Sequence, residues 1–66
     1  MRFVLNGQPE ELAESCTIDR FIAAKGFNPA SVIVEHNYAV VKKEAWATTV
    51  LSENDNLEIL RLVGGG

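Results

Sequence analysis

Three consecutive glycines, Gly64-Gly65-Gly66, follow the apolar run Leu57-Glu58-Ile59-Leu60-Arg61-Leu62-Val63 and end the 66-residue chain. Glycine has no Cβ and loses more conformational freedom on ordering than any other residue, so such a run adds no stability to a fold. What it offers is chemical: a thin segment with a free carboxylate, able to thread into a narrow slot and present an unhindered carbonyl. Fraying of terminal residues explains mobility at a chain end but not the choice of glycine three times. The tail is therefore read as the working part of the molecule.

The other residues that could do chemistry are few and scattered. His36 is the only histidine; a general base needs partners and a cleft, and beside Asn37 it reads as a turn residue. Cys16, the single cysteine, reads as a small buried hydrophobe just before a helix. A [2Fe–2S] cluster needs four thiolates, and no His/Cys group has the spacing of a zinc site. The glycine run precedes no helix and lacks a following Lys-Ser/Thr, so it is not a phosphate loop. Glu10, Glu11 and Glu14 form an acidic stretch, read as solvated strand and loop charges. No catalytic constellation is present.

Length and composition bound the rest. Sixty-six residues make one domain, and a chain this small buries only about 60% of its unfolded surface. Its single Cys forms no internal disulfide, and an apolar fraction of 47% suits a globular domain. Nothing approaches the roughly 20 apolar residues of a membrane span, and the first residues lack the apolar core of a signal peptide. A cytoplasmic protein with no membrane partner is expected. The net charge is −3, and the bases Arg2, Arg20, Lys25, Lys42, Lys43 and Arg61 are dispersed, which is no footprint for nucleic acid. A protein partner with a basic docking surface fits better.

The elements that must carry the tail follow from periodicity. Met1 to Leu5 alternates as a strand, Asn6-Gly7 is a hairpin turn signal, and Pro9 to Ala13 is the return strand, placed at an edge by its proline. Thr17 is the expected N-cap of a helix over Ile18 to Lys25, with Ile18, Phe21 and Ile22 as its apolar stripe. Asp19 in its first turn and Lys25 in its last complement the helix dipole. Gly26 suits the left-handed position after the helix, with Phe27 folding back on Ile22. Val32 to Glu35 reads as a strand, His36-Asn37 as a tight turn and Tyr38 to Val41 as the partner strand. Lys43 to Trp46 reads as one helical turn, Thr48 to Leu51 as a short extended piece, Glu53 to Asn56 as a turn and Leu57 to Val63 as the last strand. Trp46 is expected to cover the hairpin as a satellite core residue.

A single helix serves as the crossover that puts the first and last strands parallel, while the hairpins pair antiparallel. The result is an α+β chain: a mixed four- to five-stranded sheet packed on one main helix, a ubiquitin-like β-grasp over residues 1–63 with a flexible glycine tail at 64–66. With Leu57 and Ile59 under the helix, alternation sends Leu60 and Leu62 outward, together with Val4 and, because Glu35 marks a solvated face, Ile33. Exposed apolar residues on one face mark a partner site, so Val4, Ile33, Leu60 and Leu62 are the candidate docking residues.

A β-grasp chain ending in glycines resembles the ubiquitin-like sulfur carriers, and within them the ThiS family. The likeness spans essentially the whole chain. It rests on the Asn6-Gly7 hairpin, the helix opened by Thr17, Val32-Ile33-Val34-Glu35-His36-Asn37, Val40-Val41-Lys42-Lys43-Glu44-Ala45-Trp46 and the terminal Val63-Gly64-Gly65-Gly66. Two departures stand out: Lys42 where the family often has proline, and Gly64 before the usual glycine pair. The resemblance implies a protein cosubstrate rather than an enzyme. A ThiF-like adenylating enzyme would use ATP and magnesium to activate Gly66, and a sulfur donor system would convert it to a thiocarboxylate. A ThiG-like thiazole synthase would take the sulfur for thiamine biosynthesis. The chain itself would bind no cofactor. Gly66 would carry the reacting carbonyl, with Gly64 and Gly65 providing reach. A MoaD-like or other-pathway carrier and a ubiquitin-like protein modifier share the same activation; a non-covalent interaction module with an incidental tail is the reading from another class.

Overall fold

The structure is a computed structural model that describes residues 1–62. Five strands form one mixed sheet in the order β2-β1-β5-β3-β4: β1 (Arg2–Leu5), β2 (Gln8–Glu11), β3 (Val32–His36), β4 (Ala39–Val41) and β5 (Asn56–Arg61). The helix α1 (Ile18–Ala24) lies between β2 and β3 in sequence, and 3₁₀ turns occupy Pro29–Ser31 and Lys43–Thr48. β1 pairs antiparallel with β2 and parallel with β5, and β3 runs antiparallel to both β4 and β5. The mixed sheet with one main helix, and the parallel pairing of first and last strands, are as expected.

One side of the sheet and the helix stripe close the core. Ile18, Phe21 and Ile22 from α1 meet Phe3, Val32, Val34, Leu57 and Ile59 from the sheet, with Leu51 and Trp46 completing the cluster. Burying each large side chain stabilises the fold by about 1.5–3 kcal/mol, which a small domain needs from nearly all of them. Phe3 and Phe21 meet edge to face, with centroids 5.4 Å apart. Trp46 belongs to this main core rather than to a satellite: it is buried, and its Nε1–H donates to the Val41 carbonyl at 2.9 Å. The 3₁₀ turn around it runs two residues further than expected, to Thr48, and packs against α1.

Local chemistry explains most boundaries. Asn6 and Gly7 both have positive φ, 50° and 80°, as a two-residue type I′ hairpin requires. β2 starts at Gln8, one residue before the expected Pro9, and sits at the sheet edge, where a missing amide donor costs nothing. Thr17 occupies the N-cap position but does not cap through its side chain; its hydroxyl donates to the Asp19 carboxylate instead. At the other end Gly26 takes φ 79°, its N–H bonds the Ala23 carbonyl and the Phe27 N–H bonds the Ile22 carbonyl. That is a Schellman motif, available because glycine enters the left-handed region without a steric penalty. Lys25 is the C-cap rather than a last-turn residue; it pairs with Glu10 and lies over the Phe21 ring.

Three expected elements shift. The β3–β4 turn is Asn37-Tyr38, not His36-Asn37: both have positive φ, 52° and 70°, and His36 remains in β3 opposite Ala39. The extended piece at Thr48 to Leu51 reduces to an isolated bridge between Thr17 and Val50. β5 begins one residue early, at Asn56, and its last strand residue is Arg61; Val63 lies outside the described residues.

Tyr38 is a bulky residue in a left-handed conformation, which costs roughly 1–2 kcal/mol for an L-residue. Its side chain is 78% exposed, so little packing offsets that cost. Tyr38→Gly is expected to raise the free energy of unfolding by about 1 kcal/mol, less the greater entropy of an unfolded glycine, in a urea titration at neutral pH.

Candidate functional site

Alternation along the strands leaves a face of the sheet without a helix. Leu57 and Ile59 are buried under α1, so Asn56, Glu58 and Leu60 face the other way. All four expected docking residues are exposed on the described chain: Val4 at 36%, Ile33 at 38%, Leu60 at 48% and Leu62 at 58%. Their grouping is less uniform than expected. Ile33 stands directly opposite Leu60 across the β3–β5 ladder, and Leu62 follows just past the end of β5. Val4 is in register with Asn56 instead, four residues from Leu60 along β5. At about 3.3 Å per residue that is roughly 13 Å away, so Val4 shares the face but not the patch.

Between these two apolar ends lies a charged centre that the strand pattern alone did not reveal. Glu35 and Glu58 are directly opposite each other, and Val40, 64% exposed, pairs with Glu35 from the far side. Neither carboxylate takes part in a salt bridge among the described residues, where Glu11 pairs with Arg2 and Glu10 with Lys25. Like charges directly opposite on one sheet face are unfavourable by a few tenths of a kcal/mol or more. Glu58→Gln is therefore expected to stabilise the free chain by a few tenths of a kcal/mol at low salt, an effect that should shrink in high salt as screening takes over.

The exit of the chain is fixed from both sides. The Leu62 N–H donates to the Ser31 carbonyl at 2.7 Å. On the β1 side, the Asn6 side chain spans 53 residues of sequence: the Ile59 N–H donates to Asn6 Oδ1 at 2.8 Å and Asn6 Nδ2–H donates to the Ile59 carbonyl at 3.3 Å. One side-chain amide thus replaces a strand rung. In the sequence Asn6 is only half of a turn signal; the backbone bonds it makes elsewhere have no local signature. Gly64, Gly65 and Gly66, the proposed reacting end, lie outside the described residues.

His36 is neither a bare turn residue nor a member of a cleft. Its Nε2 is 2.6 Å from Asp55 Oδ2, which also accepts the Ser52 N–H at 2.8 Å, while Asp55 Oδ1 accepts from Asn37 Nδ2 at 3.2 Å. Asn37 in turn bonds the Asn56 backbone in both directions. Burial by itself pushes the Asp55 carboxyl up, but the hydrogen bonds from His36, Ser52 and Asn37 and the electrostatic pull of His36 outweigh it and leave it below its ordinary 3.8. The network ties the β3–β4 turn to the start of β5, at the opposite end of β5 from the tail. Cys16 is half-buried against the core, Glu10 is engaged by Lys25 and Glu11 by Arg2.

A native carboxyl with a lowered pKa contributes stability above its unfolded value and loses it as pH falls through the native one. The Asp55 contribution should thus be intact at neutral pH and fade below about pH 4. Asp55→Asn is expected to lower stability at pH 7 by about 1–3 kcal/mol and to flatten the acid limb of a urea-midpoint profile.

A mixed sheet of five strands across one helix, with parallel first and last strands in its middle, is a β-grasp domain, and comparison with known proteins places it more closely. The sequence model of the ThiS family matches residues 3–66. The chain therefore belongs to the ThiS family. The crystal structure of the thiamine biosynthesis protein ThiS from Geobacter metallireducens superposes with a TM-score of 0.87 at 33% identity, covering 100% of both chains. A thiazole synthase of Magnetococcus marinus is 36% identical over 66 residues, all of this chain but 20% of that protein; the chain thus spans about a fifth of that relative's length. An uncharacterized protein, ycf40, of Trieres chinensis is 30% identical over 64 residues, covering 97% of this chain and 88% of that one. The β-grasp expectation and the family resemblance both hold. No helix among the described residues is long and apolar enough to cross a membrane.

Proposed function

We propose that this chain is a sulfur carrier for the assembly of the thiamine thiazole, acting as a protein cosubstrate whose C-terminal Gly66 is the reacting group. The observation that carries the reading is the family match running through residue 66, glycines included, together with full-length likeness to a solved ThiS. Its chemistry is simple to balance. A carboxylate oxygen of Gly66 attacks the α-phosphorus of ATP on a ThiF-like enzyme, pyrophosphate leaves with magnesium, and an acyl-adenylate results. A sulfur nucleophile from a donor system then displaces AMP, and the product is a C-terminal thiocarboxylate. A ThiG-like thiazole synthase accepts that sulfur; relatives bearing the name thiazole synthase, in which this domain is a fifth of the length, support such a partner.

The division of labour suits the residues. Activation of an acyl group needs a good leaving group and a bound nucleotide, both of which a partner supplies. The chain needs only a slender end and a docking surface. In this reading Ile33, Leu60 and Leu62 form the part of that surface next to the exit, with Val4 at its far rim. Gly64 and Gly65 admit the tail to a narrow channel, since any side chain there would obstruct it.

Incubation with ATP, magnesium, a ThiF-type enzyme and a sulfide source is expected to replace one oxygen by sulfur on the C-terminal peptide, read by intact mass and peptide mapping. Substituting Gly66 should abolish that mass change while leaving the thermal unfolding curve unaltered. Leu60→Glu should weaken binding to the ThiF-type enzyme by about tenfold or more, as for a central interface residue. A chain left unmodified by a competent enzyme would overturn the carrier reading.

A further inference from the structure

The main-chain bonds of β5 show where its ladder runs out. Antiparallel pairing alternates the residues that bond across a strand pair with those that bond away from it. The Asn37 N–H donates to the Asn56 carbonyl at one end of the β3–β5 ladder and the Leu62 N–H donates to the Ser31 carbonyl at the other. Even-numbered residues of β5 therefore bond to β3, and Leu57, Ile59 and Arg61 turn their amides and carbonyls toward the lane of β1. Leu57 is met there by the Asn6 N–H at 2.9 Å, and Ile59 by both ends of the Asn6 side chain. At Arg61 the lane is vacant: β1 ends at Leu5 and reverses through Asn6-Gly7, and the Arg61 N–H and carbonyl have no partner among the described residues. The central strand of the sheet becomes an edge strand one residue before the exit.

We propose that this vacant rung receives an extended main-chain segment of the enzyme that activates the C-terminus, added beside β5 in the lane β1 leaves; the proposal rests on the sulfur-carrier reading above. An unpaired N–H and C=O on one edge of a strand are answered by the C=O and N–H of another extended backbone, the strand-addition mode of recognition. The position is suited to it. Leu60 and Leu62 flank Arg61 on the open face, both exposed, and supply side-chain contact to the added segment. The Arg61 guanidinium lies over the Phe27 ring, 5.4 Å from its centroid, on the helix side and off the edge. The sheet's two outer edges are guarded: Pro9 removes a donor from β2, and β4 is three residues long and followed by Lys42 and Lys43. Short strands, proline and lysine are how edges are kept from pairing. The Arg61 rung has none of these, and Asn6 closes the lane behind it so that an incoming segment starts at Arg61.

The test is a chemically synthesised chain with an ester in place of the Leu60–Arg61 amide, which removes the Arg61 donor alone. Its affinity for a ThiF-type adenylating enzyme is measured by calorimetry beside the all-amide chain. Binding about three- to tenfold weaker is expected, with the thermal midpoint almost unchanged because that N–H has no internal partner. An ester at Leu62, which does have one in Ser31, should lower the midpoint and serves as the folding control. In the complex with the all-amide chain, the Arg61 amide should also exchange at least about tenfold more slowly by NMR. Wild-type affinity in the Arg61 ester chain, together with weakened binding by Leu60→Glu, would keep the sheet face as interface and overturn strand addition. An all-amide chain that the enzyme neither binds nor adenylates would overturn the carrier reading, and the proposal with it.

Discussion

Everything in this small domain hangs on the pairing of its first and last strands. β1 and β5 lie side by side in the middle of the sheet although they are separated by nearly the whole chain, and only two residues of each are paired in the ladder. The Asn6 side chain extends that short ladder to Ile59. Loop closure over some 50 residues is entropically costly but grows only slowly with length, so a few well-placed bonds and a shared core suffice to hold it. The shared core is Phe3 from one strand and Leu57 and Ile59 from the other, under Phe21 and Ile22. β5 is thus clamped on both sides as far as Leu62.

The polar interior serves the same end from the opposite pole of β5. Asp55 is the one buried charged residue among those described, and its partners come from the β3–β4 turn and the loop before β5. A buried carboxylate left unpaired would cost far more than the bonds return, so these groups are retained as a set or not at all. Their net contribution to stability is modest. What they specify is register: the start of β5 is held against Asn37, and a one-residue slip would exchange Leu57 and Ile59 with Glu58 and Leu60. The core and the open face of the sheet are thus decided together.

That open face carries tension the core does not. Two facing carboxylates, an exposed Ile33–Leu60 pair and the outward Val40 and Leu62 do little for the isolated chain. A sequence that is locally consistent nearly everywhere else departs from the rules there, and such departures concentrate where function is carried. In a sulfur carrier the division is physically sensible. Among the described residues, order is concentrated in β5 and its clamps, and the proposed reacting group follows them in sequence.

Much of this is legible in the residues themselves. The helix is readable because Ile18, Phe21 and Ile22 recur at its period and Gly26 with Phe27 ends it in a recognisable cap; the Asn6-Gly7 hairpin and the outward side of Ile33, Leu60 and Leu62 follow from equally local rules. The terminal glycines single out the chain end by residue type alone, and the proposed chemistry is placed there. Tertiary structure decided the rest. Period-2 alternation says which way a side chain faces but not how far along the neighbouring strand it sits, so Val4 separates from Leu60 only through the β1–β5 register. The same limit hides the Glu35–Glu58 confrontation, the Asn6 clamp on Ile59 and the His36–Asp55 network. Each joins residues from segments that are distant along the chain, and no local pattern encodes which distant backbone group a side chain will meet.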